Sequence, residues 1–356
     1  MPVNFTPGPS QLYFTVEDHA RKAFRAGIPS ISHRSSAFEK IYQQVVEGLK
    51  ELLEVPAGFE IVFAASATEI WERSIQNLAG ESSLHFVNGS FSKRYHEIAI
   101  QLGKQASKIE ATPGEGFSPY TPSGSPEVIA LTHNETSTGV SLPLDFIHSF
   151  RSLHPNALVV VDAVSSLPYP KFDYTKIDSV FFSVQKCFGL PAGLGVWIVN
   201  GRCIAKAKQL QQQGVNTGTY HNLPTLITNA KKNQTPETPN VLGIYLLSQV
   251  VADFLKRGVH TIRKETEYKA AILYQALEQH TLAKPFVQDV KSRSQTVLVA
   301  QTGDSTKAIT KHLIDHGLQP GDGYGDRKNA QLRFANFPTH SKETYELLVD
   351  VLEKFQ

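Results

Sequence analysis

Between residues 60 and 199 the chain repeats one unit, a short and almost wholly apolar run followed by a stretch with helical spacing. The runs are Glu60–Phe63, Ser83–Val87, Glu127–Thr132, Ala157–Val161, Ser179–Gln185 and Val196–Val199. Helices are predicted over Ala67–Leu78, Ser92–Leu102 and Pro143–Leu153. Strands that alternate with helices are joined by crossovers and so lie parallel. Runs that are apolar at nearly every position, not at every second one, belong to strands covered on both faces. The pattern calls for an α/β fold, a mainly parallel sheet with helices on each side.

The flanking segments read differently. Residues 1–14 contain Thr6-Pro7-Gly8-Pro9, too rich in proline for a helix or a central strand, and are expected to form an extended arm. Helices are predicted over Thr15–Ala26 and over Ala37–Leu53, where Phe38, Ile41, Val45, Leu49 and Leu52 recur at helical spacing. A helix over Val241–Arg257 ends at Gly258, and a long one follows over Ile262–His280. Beyond it, strands Thr296–Ala300 and Gln331–Ala335 and helices Ser305–His316 and Ser341–Phe355 make a compact α+β unit. A chain of 356 residues exceeds one small core. The expected division is an arm (1–14), a large domain (15–258) and a small C-terminal domain (259–356).

Composition removes several function classes. A net charge of +2 gives no reason to expect nucleic acid or an acidic membrane as partner. Two cysteines, Cys187 and Cys203, build neither a disulfide framework nor a multi-cysteine zinc site, and no metal is expected. No apolar run reaches the roughly 18 residues of a membrane helix. The first residues lack the basic and apolar regions of a signal peptide, so a cytoplasmic location is expected.

In parallel α/β sheets ligands collect at the carboxyl ends of the strands. After Phe63 stands Ala64-Ala65-Ser66-Ala67-Thr68, a helix start whose backbone N–H groups can face an anion, or where Ser66 or Thr68 simply caps the helix. The other strand ends lead into Asn88-Gly89-Ser90-Phe91, His133-Asn134-Glu135-Thr136, Asp162 and Gln185-Lys186. Asp162, closing a run of valines, is either a turn residue or a buried carboxylate that needs a cationic partner. Lys186 either snorkels to the surface or is used chemically. A single ligand answers both demands if it offers a protonated pyridine nitrogen to Asp162 and an aldehyde to Lys186. Pyridoxal 5'-phosphate is such a ligand, its phosphate suited to a helix start. Lys186 would then shuttle the proton lost from an amino acid Cα. Dinucleotide and nucleoside triphosphate lack their glycine motifs here, and none of the thirteen histidines lies in an H-E-x-x-H.

The segments Thr6–Pro9, Ser32-His33-Arg34, Asn134-Glu135-Thr136, Asp162–Ser166, Gln185-Lys186, Gln234-Thr235-Pro236 and Arg333–Pro338, in that order, resemble the class V aminotransferases of pyridoxal-phosphate fold type I. Within them the chain is most similar to the phosphoserine aminotransferase family. The resemblance implies a seven-stranded, mainly parallel sheet in the large domain and a homodimer whose active site is shared across the interface. It implies Lys186 on the cofactor aldehyde, Asp162 on the pyridine nitrogen and Thr136 near the ring hydroxyl. Ala67, Thr68 and Gln185 would meet the phosphate, which Gln234 and Thr235 would reach from the other subunit. Phe91 stands where the family stacks a tryptophan on the ring. Arg333 matches the arginine that grips the substrate α-carboxylate. His33 and Arg34 match the pair at the substrate's side-chain phosphate, with Arg327 assisting.

Some positions depart from the family. The turn Ala65–Thr68 lacks the usual glycine run and arginine, Asp326 stands for a histidine and Gln234 for an asparagine. The implied activity is transamination between glutamate/2-oxoglutarate and 3-phosphohydroxypyruvate/phosphoserine in serine biosynthesis. The alternative is a serine– or alanine–glyoxylate/pyruvate-type aminotransferase, which needs no side-chain phosphate site. A cysteine desulfurase-like lyase would need a nucleophilic cysteine on a mobile loop, a place that neither Cys187 nor Cys203 fits. A non-catalytic relative would have little use for Asp162, Lys186 and Arg333 together.

Overall fold

The computed structural model describes residues 2–355. The chain opens with Val3–Phe5 (β1), followed by helices Val16–Arg25 (α1) and Ser36–Leu52 (α2). Then come Phe59–Ala64 (β2), Ala67–Leu78 (α3), Ser82–Val87 (β3), Ser90–Gln101 (α4), Gln105–Glu110 (β4) and Val128–Thr132 (β5). A small hairpin, Asn134–Glu135 (β6) and Val140–Ser141 (β7), leads to Leu144–Leu153 (α5), Leu158–Asp162 (β8), Ser179–Ser183 (β9) and Gly195–Asn200 (β10). Four helices follow: Gly201–Gln212 (α6), Leu223–Ala230 (α7), Val241–Arg257 (α8) and Val259–Gln279 (α9). The last part contains Lys284–Pro285 (β11), Val297–Gln301 (β12), Thr306–Asp315 (α10), Leu318–Asp322 (β13), Gln331–Ala335 (β14) and Lys342–Glu353 (α11).

The first sheet has seven strands in the order β2-β10-β9-β8-β5-β3-β4. It is parallel except for β10, which runs against both its neighbours. The all-apolar runs in β5 and β8 are buried at every position, because helices cover both faces. Six of the seven strands were visible as such runs. The seventh, β4, reads Gln-Ala-Ser-Lys-Ile-Glu and is largely exposed. It lies at the sheet edge, where no apolar run is needed and a charged strand discourages further pairing.

The second sheet has the order β1-β13-β14-β12-β11. Its first member comes from the extended segment of residues 1–14: Val3–Phe5 pairs in parallel with Leu318–Pro320. Phe5 is fully buried and stacks on His340, their ring centroids 4.9 Å apart. Pro7 and Pro9 then end the strand, having no N–H to donate. β13 itself, Leu-Gln-Pro-Gly-Asp, has the composition of a turn and carried no strand signal. Pairing with β1 and β14 overrides that weak local preference. α7 was likewise unmarked, although Pro224 sits in its first turn, where a helix accepts it, and Asn222 caps Thr225 N at 2.9 Å.

One large apolar core surrounds the first sheet, and another, with Phe5, Leu273, Leu332 and Tyr345, fills the second. A third cluster of Cys187, Val297, Val299, Ala335 and Phe337 lies where the second sheet meets the turn after β9. Among the described residues no helix is long and apolar enough to cross a membrane.

Candidate active site

The strand expected to carry Lys186 to its end stops at Ser183. Val184 N donates to Leu194 O (3.2 Å) and Gly189 N to Lys186 O (2.9 Å), so the backbone is already turning back toward β10. Lys186 therefore stands on a turn beyond the carboxyl edge of the sheet. This places it in a recess of about 470 Å³, open mouth included, together with Phe91, Thr136, Asp162, Gln185 and the start of α3.

Its side chain is 7% exposed, and Nζ donates to Thr136 Oγ1 at 3.0 Å. Thr136 Oγ1 donates in turn to Ser165 Oγ (2.8 Å), which also accepts from Asn134 Nδ2 (2.8 Å). Burial pulls the Lys186 ammonium down to about 8, against the attraction of Asp162. An amine in that range is available both as nucleophile and as proton carrier near neutral pH. The N-terminal segment crosses directly over it. A Cβ on Gly8 would lie 3.0 Å from Lys186 Cε, and Gly8 has φ +152°. Ser10 N donates to Gln185 O at 3.0 Å.

Asp162 is the last residue of β8 and is 3% exposed. Val164 N donates to Oδ1 (2.9 Å) and Trp71 Nε1 to Oδ2 (2.7 Å). Burial nevertheless pushes its carboxyl up to about 6, despite those two donors and the Lys186 charge. The group is a buried carboxylate short of positive charge. Trp71 escaped the sequence reading because an aromatic at helical spacing looks like core.

Ser66 Oγ accepts from Glu69 N (3.0 Å), so the capping reading of this serine holds. The helix start it caps still opens into the recess, where Ser66, Ala67 and Thr68 line one wall. Glu69 is held in place by Ala65 N (2.9 Å) and by His221 Nδ1.

Glu135, which the sequence marks only as the middle of Asn134-Glu135-Thr136, is fully buried. It accepts from Ser92 N (2.9 Å), Ser92 Oγ (2.8 Å), Ser137 N (3.1 Å) and Ser137 Oγ (2.6 Å). It thereby fastens the start of α4, which carries Phe91, to the hairpin that carries Thr136. Gly89 permits this approach, since a Cβ there would lie 2.4 Å from Glu135 Cγ.

Arg333 reaches the same place from β14. Its Nε donates to Asp322 O (2.6 Å) and its Nη1 to Thr136 O (3.2 Å), and Tyr324 lies beside it. The remaining candidates do not line the recess. Arg34 Nη1 donates to Gln234 Oε1 (2.8 Å) and Nη2 to Pro236 O (3.2 Å), while Gln234 Nε2 donates to Glu39 Oε1 (2.7 Å). Thr235 is buried and donates to Glu237 O (2.7 Å). His33, half-buried, adjoins this second group. The Arg327 guanidinium lies 5.5 Å from the centre of the Phe286 ring. Cys187 and Cys203 are buried, and burial pushes both thiols up, so neither offers a thiolate.

The recess fits pyridoxal phosphate by its donor set. It offers an amine for the aldehyde, an undercompensated buried carboxylate for a pyridinium nitrogen, a helix start for the phosphate and an aromatic face for the ring. Asn134 Oδ1, buried in the lining and without a partner, leaves one acceptor to spare.

The family described as aminotransferase class-V matches this chain over residues 3–319. A curated relative, a phosphoserine aminotransferase from Rhodococcus opacus, is 30% identical over 328 residues, covering 90% of this chain and 87% of its own length. The crystal structure of a phosphoserine aminotransferase from Cytophaga hutchinsonii is 51% identical and superposes with a TM-score of 0.98 over 99% of both chains. A phosphoserine aminotransferase from Bacillus circulans subsp. alkalophilus is 23% identical and shares the fold, with a TM-score of 0.83 over 100% of this chain and 98% of its own.

Proposed function

This chain belongs to the class V aminotransferases, and on that premise we propose that it transfers the amino group of glutamate to 3-phosphohydroxypyruvate, forming phosphoserine on the route to serine. The observation that carries the chemistry is the pairing of a buried amine, Lys186, with a buried carboxylate, Asp162, at one recess. The choice of substrate is supported by the names of the relatives at 51% and 30% identity.

Bound in the recess, pyridoxal phosphate supplies an aldehyde that links to an amino group and a ring that draws electrons from the substrate Cα. Lys186 Nζ would hold the aldehyde and, once a substrate amine takes its place, would carry the proton between the substrate Cα and the former aldehyde carbon across the amino nitrogen. Its depressed ammonium makes both directions accessible. Asp162, its carboxylate fixed by Trp71 and Val164 N, would keep a proton on the ring nitrogen. Thr136 steers the amine, Phe91 would cover the ring, and Ala67, Thr68 and Gln185 would meet the phosphate at the start of α3. Arg333 grips the substrate α-carboxylate with the N–H groups that Asp322 and Thr136 leave free.

His33, Arg34, Gln234 and Thr235 serve a second copy of the chain in this reading. Their mutual contacts away from the chain's own recess support a shared site, hence a homodimer. Arg34 would supply the charge that the Ala65–Thr68 turn lacks, with Arg327 assisting. Residues 259–356, joined by β1, would move as a small domain against 15–258. Two unpaired buried thiols fit a reducing compartment such as the cytoplasm.

The test follows the visible absorbance of the purified holoenzyme during separate additions of L-phosphoserine, L-alanine and L-serine. Conversion at low concentration by phosphoserine alone supports the proposal. Equal conversion by alanine or serine would instead favour the glyoxylate-type alternative.

A further inference from the structure

Four side chains stand in file from the floor of the recess to the second sheet. Lys186 Nζ lies 5.1 Å from the Phe91 ring centroid. The Phe91 and Tyr324 centroids are 5.0 Å apart at an interplanar angle of 47°. The Arg333 guanidinium carbon lies 5.4 Å from the Tyr324 centroid. Tyr324 alone among the four has no part in the chemistry derived above. Single exposed aromatics are common and need no function. This one, 40% exposed, is set apart because its two aromatic and cationic neighbours both belong to the site.

Arg333 is anchored along its edge by Asp322 O and Thr136 O, which leaves three of its five N–H donors. Neither bond covers a face of the guanidinium. The guanidinium carbon instead lies over the Tyr324 ring, and an aromatic face attracts a cation. The loop is shaped to deliver that ring. Gly323 N donates to Gln331 O (2.8 Å) and Arg327 N to Tyr324 O (3.2 Å). A Cβ on Gly323 would lie 2.2 Å from Arg327 O, and Gly325 takes φ +57°. The turn on either side of Tyr324 is thus closed to larger residues.

We propose that Tyr324 is a positioning residue which, leaning on Phe91, holds Arg333 in the orientation that forks a substrate carboxylate. The proposal rests on the reading of Arg333 as the carboxylate grip. Both amino donor and amino acceptor present the same α-carboxylate, so Tyr324 acts on both substrates alike and does not discriminate between side chains.

The test uses the holoenzyme and compares Tyr324→Ala, Tyr324→Leu and Tyr324→Phe. It measures kcat and KM for L-glutamate and L-phosphoserine, and the cofactor Kd by equilibrium dialysis. In Tyr324→Ala both KM values rise by a common factor of about two to thirty, the span of cation–π contacts from exposed to desolvated. Its kcat and cofactor Kd stay within about twofold of the parent on the same grounds. Tyr324→Leu, which fills space without a ring, behaves like the alanine variant, and Tyr324→Phe restores the parent values. An unchanged KM in Tyr324→Ala overturns the proposal. So does a rise confined to phosphoserine, a change in cofactor Kd alone, or a Tyr324→Phe as impaired as Tyr324→Ala. Arg333→Lys separates the two layers of the argument. If it leaves both KM values at parent levels, the carboxylate reading falls and takes this one with it. If it raises them while Tyr324→Ala does not, only the role of Tyr324 fails.

Discussion

At the scale of single residues, the site is held by a buried amine and a buried carboxylate whose charges are each displaced from their ordinary range. Lys186→Ala removes the proton carrier, and transamination between glutamate and 3-phosphohydroxypyruvate is expected to fall by about 10²–10⁴-fold in initial-rate assays. The depressed ammonium gives a second expectation. Only the neutral amine attacks an aldehyde, and burial sets the Lys186 ammonium at about 8. The rate at which ligand-free protein takes up pyridoxal phosphate should therefore climb through pH 8 and level off above it, as followed by absorbance. A rate still climbing steeply at pH 9.5 would contradict the burial of the amine, whose ordinary value is 10.5. Each of these two residues alone allows a bland reading, a turn aspartate or a snorkelling lysine, and they were legible in the sequence because one ligand answers both. Trp71 and Glu135 were not singled out for a role. One sits at a helical core position and the other in a polar loop, and only the fold reveals that Trp71 donates to Asp162 and that Glu135 binds two serines.

At the scale of elements, one buried histidine ties α3 to the segment before α8. His221 Nδ1 meets Glu69 in the first turn of α3, and its Nε2 lies 3.1 Å from Glu237 Oε2. Arg73 Nε adds a weaker contact to Glu69 at 3.5 Å. Burial alone would depress the imidazolium, but the two carboxylates outweigh it and raise it to about 9. A raised value stabilises the folded chain fully below the ordinary 6.5, and the contribution fades as pH climbs toward 9. His221→Gln should cost about 1.5–3 kcal/mol at acid to neutral pH, the worth of hydrogen bonds to charged groups, and little above pH 9. Denaturant titrations of the two proteins across that range measure the difference, and a gap that widens with pH would refute the pairing. The elements themselves were largely legible: the apolar runs of the first sheet and the Val241–Arg257 helix fall where the sequence placed them. What escaped were elements stabilised by partners and not by their own composition. β4 lies at a solvated edge, β13 contains Pro320 and Gly321, and β9 ends short of Lys186 because the return of β10 bends the backbone earlier.

At the scale of the whole molecule, the two ends of the chain share one sheet. Phe5 is buried between His340, Phe334 and Tyr345. Phe5→Ala should destabilise the second sheet by about 3–5 kcal/mol. Hydrogen exchange in β13 and β14 should accelerate more than in β5 and β8. Equal acceleration everywhere would mean the two sheets unfold as one unit.

The pairing of β1 with β13 also bears on the order in which the molecule is made. The ribosome delivers Val3–Phe5 before the first sheet and Leu318–Pro320 after it, so β1 waits unpaired while that sheet is made. The first sheet, contained between Phe59 and Asn200, has all its strands long before then. A nascent chain can thus build the walls around Lys186 early, yet it lacks Arg333 until β14 emerges. If Arg333 is the carboxylate grip proposed above, a chain stopped before β14 would carry the recess residues without the group that holds a substrate in them.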